Sequence, residues 1–302
     1  MNQKEMDTAL EKAKTLVEAL PYIRKFNRKI VVIKYGGSAM KTDDLKNSVI
    51  EDAILLKLVG FKPIIVHGGG KEISQWVEKT GGKSTFVNGF RVTDSDTMTI
   101  AEMVLNRVNK ELVTKIESQE VKAAGISGKD GGLLRVQKKM PDGQDIGYVG
   151  DIKLVDPEIL FDLLEKDFLP VVCPIGFDDN YETYNINADD AACAIATAVG
   201  ADKLVFLTDI GGLYRDLNDE DTKISRLTVS EAEELIDSGI VGGGMLPKIS
   251  NCTSAVRAGV NRVHILDGRI PHSILLEIFT DQGIGTMFFR DEDADQFNNQ
   301  EG

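Results

Sequence analysis

Five short runs of mostly β-branched residues that close on glycine constrain this chain more than any other feature: IVVIKYGG at 30–37, PIIVHGGG at 63–70, LPVVCPIG at 169–176, DKLVFLTDIGG at 202–212 and VNRVHILDG at 260–268. Continuous apolar strands, as opposed to alternating ones, belong to a sheet buried on both faces. Segments of helical character separate them at 44–59, 94–118 and 187–199. The expected fold is therefore α/β, a mainly parallel open sheet between two layers of helices. A length of 302 residues suits either two lobes or one large α/β domain.

Ahead of the first run, Met6, Leu10, Ala13, Leu16, Val17 and Leu20 recur at helical spacing, and Pro21 ends or kinks the pattern. This predicts an amphipathic N-terminal helix over 3–20 whose apolar stripe packs either on the chain's own core or on another subunit. The turn-rich stretch from Gly125 to Val155 reads as an antiparallel hairpin insertion, and FDDNYETY at 177–184 as a turn joining two halves. Residues 1–26 are thus expected to form the N-terminal helical segment, 27–180 a first lobe and 181–302 a second. The acidic DEDADQFNNQEG at 291–302 reads as a frayed tail.

A net charge of −13 excludes a broad basic surface for nucleic acid or anionic membrane, so any phosphate must be met locally. The N-terminus is polar, without an apolar leader, and no run is long enough to span a bilayer. Cys173, Cys193 and Cys252 lie far apart without metal-ligand spacing and read as buried thiols of a reducing, cytoplasmic compartment.

In open parallel sheets, ligands collect at the carboxyl ends of strands. Gly36 with Gly37, and Gly68 with Gly69 and Gly70, lack Cβ atoms, so their N–H groups can approach an anion; the alternative is a pair of tight turns. Two familiar nucleotide motifs fail. A P-loop ending in Gly82-Lys83-Ser84 has Val77 where its first glycine is needed, and a dinucleotide fingerprint from Gly68 has Ile73 where its third should fall.

Lys34 interrupts an apolar strand just before its glycines, either snorkelling or reaching a phosphate. A second lysine, Lys248, ends the glycine-rich GGGMLPK at 242–248, and two such charges suit a phosphoryl group in transfer. Asn185, Asn187 and Asp189 precede a helix and either cap it or work: Asp189 by holding both lysines, Asn185 by contacting an acceptor. Arg91 can grip a carboxylate with its fork, or make a plain surface ion pair. His67, His264 and His272 form neither zinc spacing nor a hydrolase triad. A carboxylate acceptor is ionised at neutral pH and needs no general base.

The motifs KYGG, VHGGG, GFRVT, NINADD, LTDIGGL and GGGMLPK, in this order over 29–290, resemble the amino-acid kinase family, and within it the N-acetylglutamate kinases. The resemblance implies an αβα sandwich, an N-terminal lobe for N-acetyl-L-glutamate and a C-terminal lobe for ATP, with Mg2+ held mainly by the nucleotide phosphates. It implies that Lys34 and Lys248 stabilise the moving phosphoryl group, that Asp189 organises them, and that Gly69, Gly70, Arg91 and Asn185 bind the acceptor. The nucleotide would meet Gly36, Gly37, Thr208, Asp209, Tyr214, Gly244 and Met245. The helix at 3–20 and LLEIFTDQGIGT at 275–286 further resemble the arginine-sensitive members, homohexamers in which L-arginine inhibits. There Glu277 and Gly285, and less directly Tyr22 and Lys223, would take arginine, and the signalling protein PII is a partner of some relatives. Alternatives are a kinase of the same fold acting on aspartate, glutamate, carbamate or UMP, and a catalytically silent arginine-binding protein.

Overall fold

The structure, a computed structural model, describes residues 2–37, 42–216, 219–241, 245–280 and 283–295. Eight strands make the central sheet: β1 (Ile30–Tyr35), β2 (Lys62–His67), β3 (Ala123–Ser127), β4 (Leu169–Cys173), β5 (Lys203–Thr208), β6 (Arg226–Thr228), β7 (Arg262–Asp267) and β8 (Thr286–Phe289). They run in the order β6-β8-β7-β5-β1-β2-β4-β3, parallel throughout except between β7 and β8. The five glycine-terminated runs are β1, β2, β4, β5 and β7.

The helices are α1 (Gln3–Glu18), α2 (Leu20–Phe26), α3 (Asp43–Leu58), α4 (Gly70–Lys79), α5 (Ser95–Glu117), α6 (Glu158–Glu165), α7 (Ala188–Ala198), α8 (Val229–Asp237), α9 (Leu246–Arg257) and α10 (Ser273–Ile278). Strand alternation sorts the core onto two faces. Val32, Ile64, Val66, Leu204 and Phe206 pack towards α6, α7, α8 and α9, while Val31, Ile33, Ile65, Val205 and Leu207 pack towards α3, α5 and α10. Burying each such side chain contributes about 1.5–3 kcal/mol, so the central strands are pinned in register from both faces.

Four short strands, Leu134–Lys138, Val149–Val155, Ile175–Phe177 and Thr183–Ile186, close into a ring beside the sheet. The first two are antiparallel, as expected of an insertion. Gly125, however, belongs to β3, so the insertion starts later than its sequence suggested. A Cβ at Gly125 would run into Asn109 Oδ1 of α5, so close helix packing, not a turn, demands that glycine. The turn after Phe177 is built by Asp178, whose Oδ1 accepts from Asn180 N (2.9 Å) and Glu182 N (3.0 Å).

The N-terminal segment is two helices, not one: α1 stops at Ala19, and Pro21 lies in the first turn of α2. Asn2 and Glu5 form a capping box, yet no residue of α1 is buried. Leu10 is 52%, Leu16 72% and Val17 62% exposed, so the stripe does not pack on the chain's own core. By contrast Phe26 at the end of α2 is buried, stacked on Phe61 with ring centroids 5.7 Å apart. All three cysteines are free; Cys173 and Cys252 are buried as expected, whereas Cys193 is only half-buried.

Candidate active site

The β1–β2 register pairs Tyr35 with His67, which sets Gly36 and Gly37 beside Gly68 and Gly69 at one edge of the sheet. Gly36 has a specific reason to be glycine: a Cβ there would lie 3.3 Å from Lys34 Nζ, crowding the ammonium. Gly69 caps α4, and a Cβ on it would come within 2.8 Å of Leu105 Cδ2. The first N–H groups of α4 lack intrahelical partners and face an anion readily. A cavity of about 150 Å³ opens here, lined among others by Gly69, Gly70, Phe90, Arg91 and Asn185. It brings together all four residues expected to bind an acceptor.

Arg91 is 7% exposed. Its Nη1 donates to Ser84 Oγ (2.7 Å), its Nη2 to Gly70 O (2.6 Å) and Ser74 Oγ (2.9 Å), and the guanidinium lies over Phe86, 4.8 Å from the ring centroid. Among the described residues no carboxylate lies within ion-pair distance of it. Burial pulls its pKa below the usual arginine range. A buried, oriented cation without an anion is costly unless a ligand supplies one.

Alternation along β1 puts Lys34 on the same face as Val32, the face covered by α7. There Lys34 Nζ lies 2.8 Å from Asp189 Oδ1, with the two side chains 14% and 19% exposed. The polar cluster before α7 divides its labour. Asn187 is the cap, its Oδ1 accepting from Asp189 N (2.8 Å) and Asp190 N (3.2 Å), which leaves Asp189 to face Lys34 and Asn185 to line the cavity. Lys248, in the first turn of α9, is half-buried and makes no ion pair with a described carboxylate. The expected arrangement of one aspartate holding two lysines is therefore half formed. The Lys34 contact is an ion pair off the hydrogen-bonding axis, and Asp189 Oδ1 has no hydrogen-bond partner among the described residues.

Thr208 ends β5, adjacent and parallel to β1, so it shares the edge with Lys34; its hydroxyl accepts from Ile210 N at 3.0 Å. Asp209 is exposed, and Tyr214 lies in a two-stranded hairpin against Lys223. Met245 is buried immediately before α9, and Gly37 adopts φ +61°, a conformation that favours glycine. Gly244 lies outside the described residues. No group of three or more His, Cys, Asp or Glu among the described residues is arranged to hold a metal ion, and no described helix is long and apolar enough to cross a membrane.

Three of the four residues expected around arginine, Lys223, Glu277 and Gly285, come together at residues 284–285, and Tyr22 meets the end of α10. Tyr22 packs edge-on against Phe279, with centroids 6.2 Å apart. The Glu277 side chain is 6% exposed, its Oε1 2.7 Å from His264 Nδ1 and its Oε2 accepting from Ile284 N (2.7 Å) and Gly285 N (2.9 Å). Lys223 Nζ donates to Ile284 O. Burial alone would raise the Glu277 pKa, but His264 and the two N–H groups outweigh it and hold it near about 2. Beyond His264 lies Lys203, its Nζ 3.3 Å from His264 Nε2. Local pattern offers no role for His264, because its two partners, Lys203 of β5 and Glu277 of α10, come from separate elements.

It also missed the brace behind the glycines. His67 is buried, and burial drives its pKa down to about 4, so it is neutral. Its Nδ1 is 2.8 Å from Gly68 O and its Nε2 3.2 Å from Asn109 Nδ2, which also donates to Val171 O at 2.9 Å. Asn109 can only donate through Nδ2, so the ring carries its proton on Nδ1 and holds the Gly68 carbonyl. One signal existed: a polar Asn109 in helical register with Leu105, Val108 and Leu112.

The sequence matches the amino acid kinase family over residues 29–267. It is 56% identical over 282 residues to the acetylglutamate kinase of Campylobacter jejuni, covering 93% of this chain and 99% of the relative. Against the acetylglutamate kinase of Carboxydothermus hydrogenoformans it is 52% identical over 291 residues, again 93% and 99%. Among solved structures, N-acetylglutamate synthase from Neisseria gonorrhoeae, complexed with coenzyme A and N-acetyl-glutamate, is similar at 27% identity with a TM-score of 0.81, over 92% of this chain and 63% of that one.

Proposed function

The chain belongs to the amino acid kinase family and within it to the acetylglutamate kinases, and from that premise we propose that its crevice moves the γ-phosphoryl group of ATP onto the side-chain carboxylate of N-acetyl-L-glutamate. The product is N-acetyl-L-glutamyl 5-phosphate, an acyl phosphate of arginine biosynthesis. One observation carries the reading: the Lys34–Asp189 ion pair stands beside a cavity into which Arg91, a buried cation that pairs with no carboxylate among the described residues, also faces. Arg91 takes one carboxylate of the acceptor, and Asn185 and the Gly69–Gly70 N–H groups orient the rest. An oxygen of the other carboxylate attacks the γ-phosphorus in line, the bond to the β–γ bridging oxygen breaks, and ADP leaves.

No side chain must accept a proton, because the attacking group is already ionised. The work left is positioning and charge stabilisation. Lys34 meets the transferring oxygens from the β1 edge, and Lys248 meets them from α9. The lone pair of Asp189 Oδ1 that no described donor takes suits it to receive Lys248. Residues 27–180 supply most of the acceptor side, joined by Asn185, and 181–302 most of the nucleotide side, where Thr208, Asp209, Tyr214 and Met245 are joined by Gly36 and Gly37. Magnesium would be held by the phosphates of ATP and would offset part of their charge.

An assay with ATP and a panel of acceptors, trapping acyl phosphate with hydroxylamine, tests the assignment. Turnover is expected with N-acetylglutamate and not with aspartate, glutamate, carbamate or UMP. Phosphorylation of aspartate alone would overturn the reading, and arginine binding without any turnover would favour the silent alternative.

Arginine feedback is part of the same proposal. Glu277 and Gly285 belong to the α10–β8 segment, Lys223 donates to Ile284 O within it, and Tyr22 of α2 packs on its Phe279. Leu10, Leu16 and Val17 of α1 are each more than half exposed, and burying each would contribute about 1.5–3 kcal/mol, which suits α1 to pack on a second copy in a homohexamer. Removing residues 1–18 should lower the solution mass and weaken arginine inhibition, since α2 retains its own packing. A truncated protein of unchanged mass and full arginine sensitivity would rule this out.

A further inference from the structure

Asp190, next to the aspartate that faces Lys34, is occupied in a way the mechanism above does not use. Its Oδ2 is 3.2 Å from Lys139 Nζ, and its Oδ1 accepts from Asn251 Nδ2 at 3.2 Å. The two partners belong to opposite sides of the crevice. Lys139 follows a strand of the small ring, pairs also with Asp151 at 3.1 Å, and lies over Phe90, 4.4 Å from the ring centroid. Phe90 in turn lines the acceptor cavity and precedes Arg91. Asn251 is on α9, three residues after Lys248, so the two share one side of that helix.

We infer that Asp190 is a positioning residue, bridging the end of the ring strand Leu134–Lys138 through Lys139 to the lysine-bearing helix α9 through Asn251, and so setting the reach from Lys248 to the acceptor carboxylate. The inference rests on the reading of Lys248 and Arg91 given above. Several features fit a bridge of this kind. Lys139 is only 21% and Asp190 29% exposed, so both are partly removed from solvent competition. Burial alone would lower the Lys139 pKa, but Asp190 and Asp151 outweigh it and keep the ammonium above its ordinary range, so the charge persists across the working pH. A second tie runs from Cys193 Sγ of α7 to Asn251 O at 3.6 Å, so Asn251 is held to α7 by both its backbone and its side chain. A carboxylate shared between two donors from different lobes fixes distance in a way that apolar packing, which slides, does not.

Because misplacement by about 1 Å can cost 10²-fold in rate, Asp190→Asn, which keeps the volume but loses the charge, is expected to lower kcat by about tenfold or more, with both KM values within about threefold. Lys139→Met should produce a similar loss, and Lys139→Arg should restore most of it. Asn251→Ala should lower kcat as well, and in an Asp190→Ala background neither Lys139→Met nor Asn251→Ala should lower it further. Thermal midpoints recorded alongside separate positioning from folding. Full kcat in Asp190→Asn, or losses that simply add in the double variants, would overturn the inference. A wild-type protein that turns over no N-acetylglutamate would instead overturn the functional reading on which it rests.

Discussion

Lys34→Ala is expected to lower kcat by about 10²–10³-fold, with the KM for N-acetylglutamate changed by no more than about threefold. The ammonium lies 2.8 Å from Asp189, at the edge where the glycines of β1 and β2 meet, and its charge matters most when negative charge spreads over the transferring oxygens. An interaction made mainly in the transition state leaves KM largely untouched when removed. Lys34→Arg should not rescue the rate. The space beside the ammonium is already tight, since even a Cβ on Gly36 would sit 3.3 Å from Nζ, and a planar guanidinium needs more room. Steady-state kinetics of the two variants, with a thermal midpoint to establish folding, decide the matter. A near-normal rate in Lys34→Ala would remove this lysine from the chemistry.

Arg91→Ala should act on the other parameter. Its guanidinium is held by Ser84, Ser74 and the Gly70 carbonyl, and no described carboxylate pairs with it. Loss of a desolvated charge that grips a ligand carboxylate typically costs about 3 kcal/mol, which is roughly a hundredfold in the KM for N-acetylglutamate. The KM for ATP should stay near the wild-type value. Arg91→Lys should recover little, because the three donors of an ammonium cannot hold the three acceptors that Arg91 satisfies and still reach a ligand carboxylate. Ligand-induced stabilisation gives an independent readout. N-acetylglutamate at saturating concentration should raise the thermal midpoint of the native protein and not that of Arg91→Ala. Equal stabilisation of both would mean that the acceptor carboxylate is bound elsewhere.

These expectations draw unequally on sequence and on tertiary structure. The sheet was legible because a strand buried on both faces needs an unbroken apolar run, and the glycines that end β1 and β2 mark where backbone must come close. The cap of α7 was legible as a polar cluster, but not which of its members would cap. Asn187 takes that role through the two N–H groups at its reach, and only this frees Asp189 to turn towards Lys34. The hairpin insertion starts after Gly125 and not at it, since a glycine required by helix packing looks the same in sequence as one required by a turn. The two open readings of the N-terminal stripe could not be separated locally, and the exposure of Leu16 at 72% removed one of them.

The sequence by itself therefore determined the α/β class, five of the eight strands of the central sheet, the glycine edge and the residue types available for phosphoryl transfer, all of which follow from local periodicity and from the conformational freedom of glycine. Only the tertiary structure decided which charges meet. Lys139 and Asp190 are 51 residues apart and Asp190 and Asn251 are 61 apart, and no local pattern encodes such pairings. They arise because parallel strands bring distant segments to one edge, where the low dielectric of a half-buried crevice favours each cation beside a carboxylate and leaves Arg91 for the ligand.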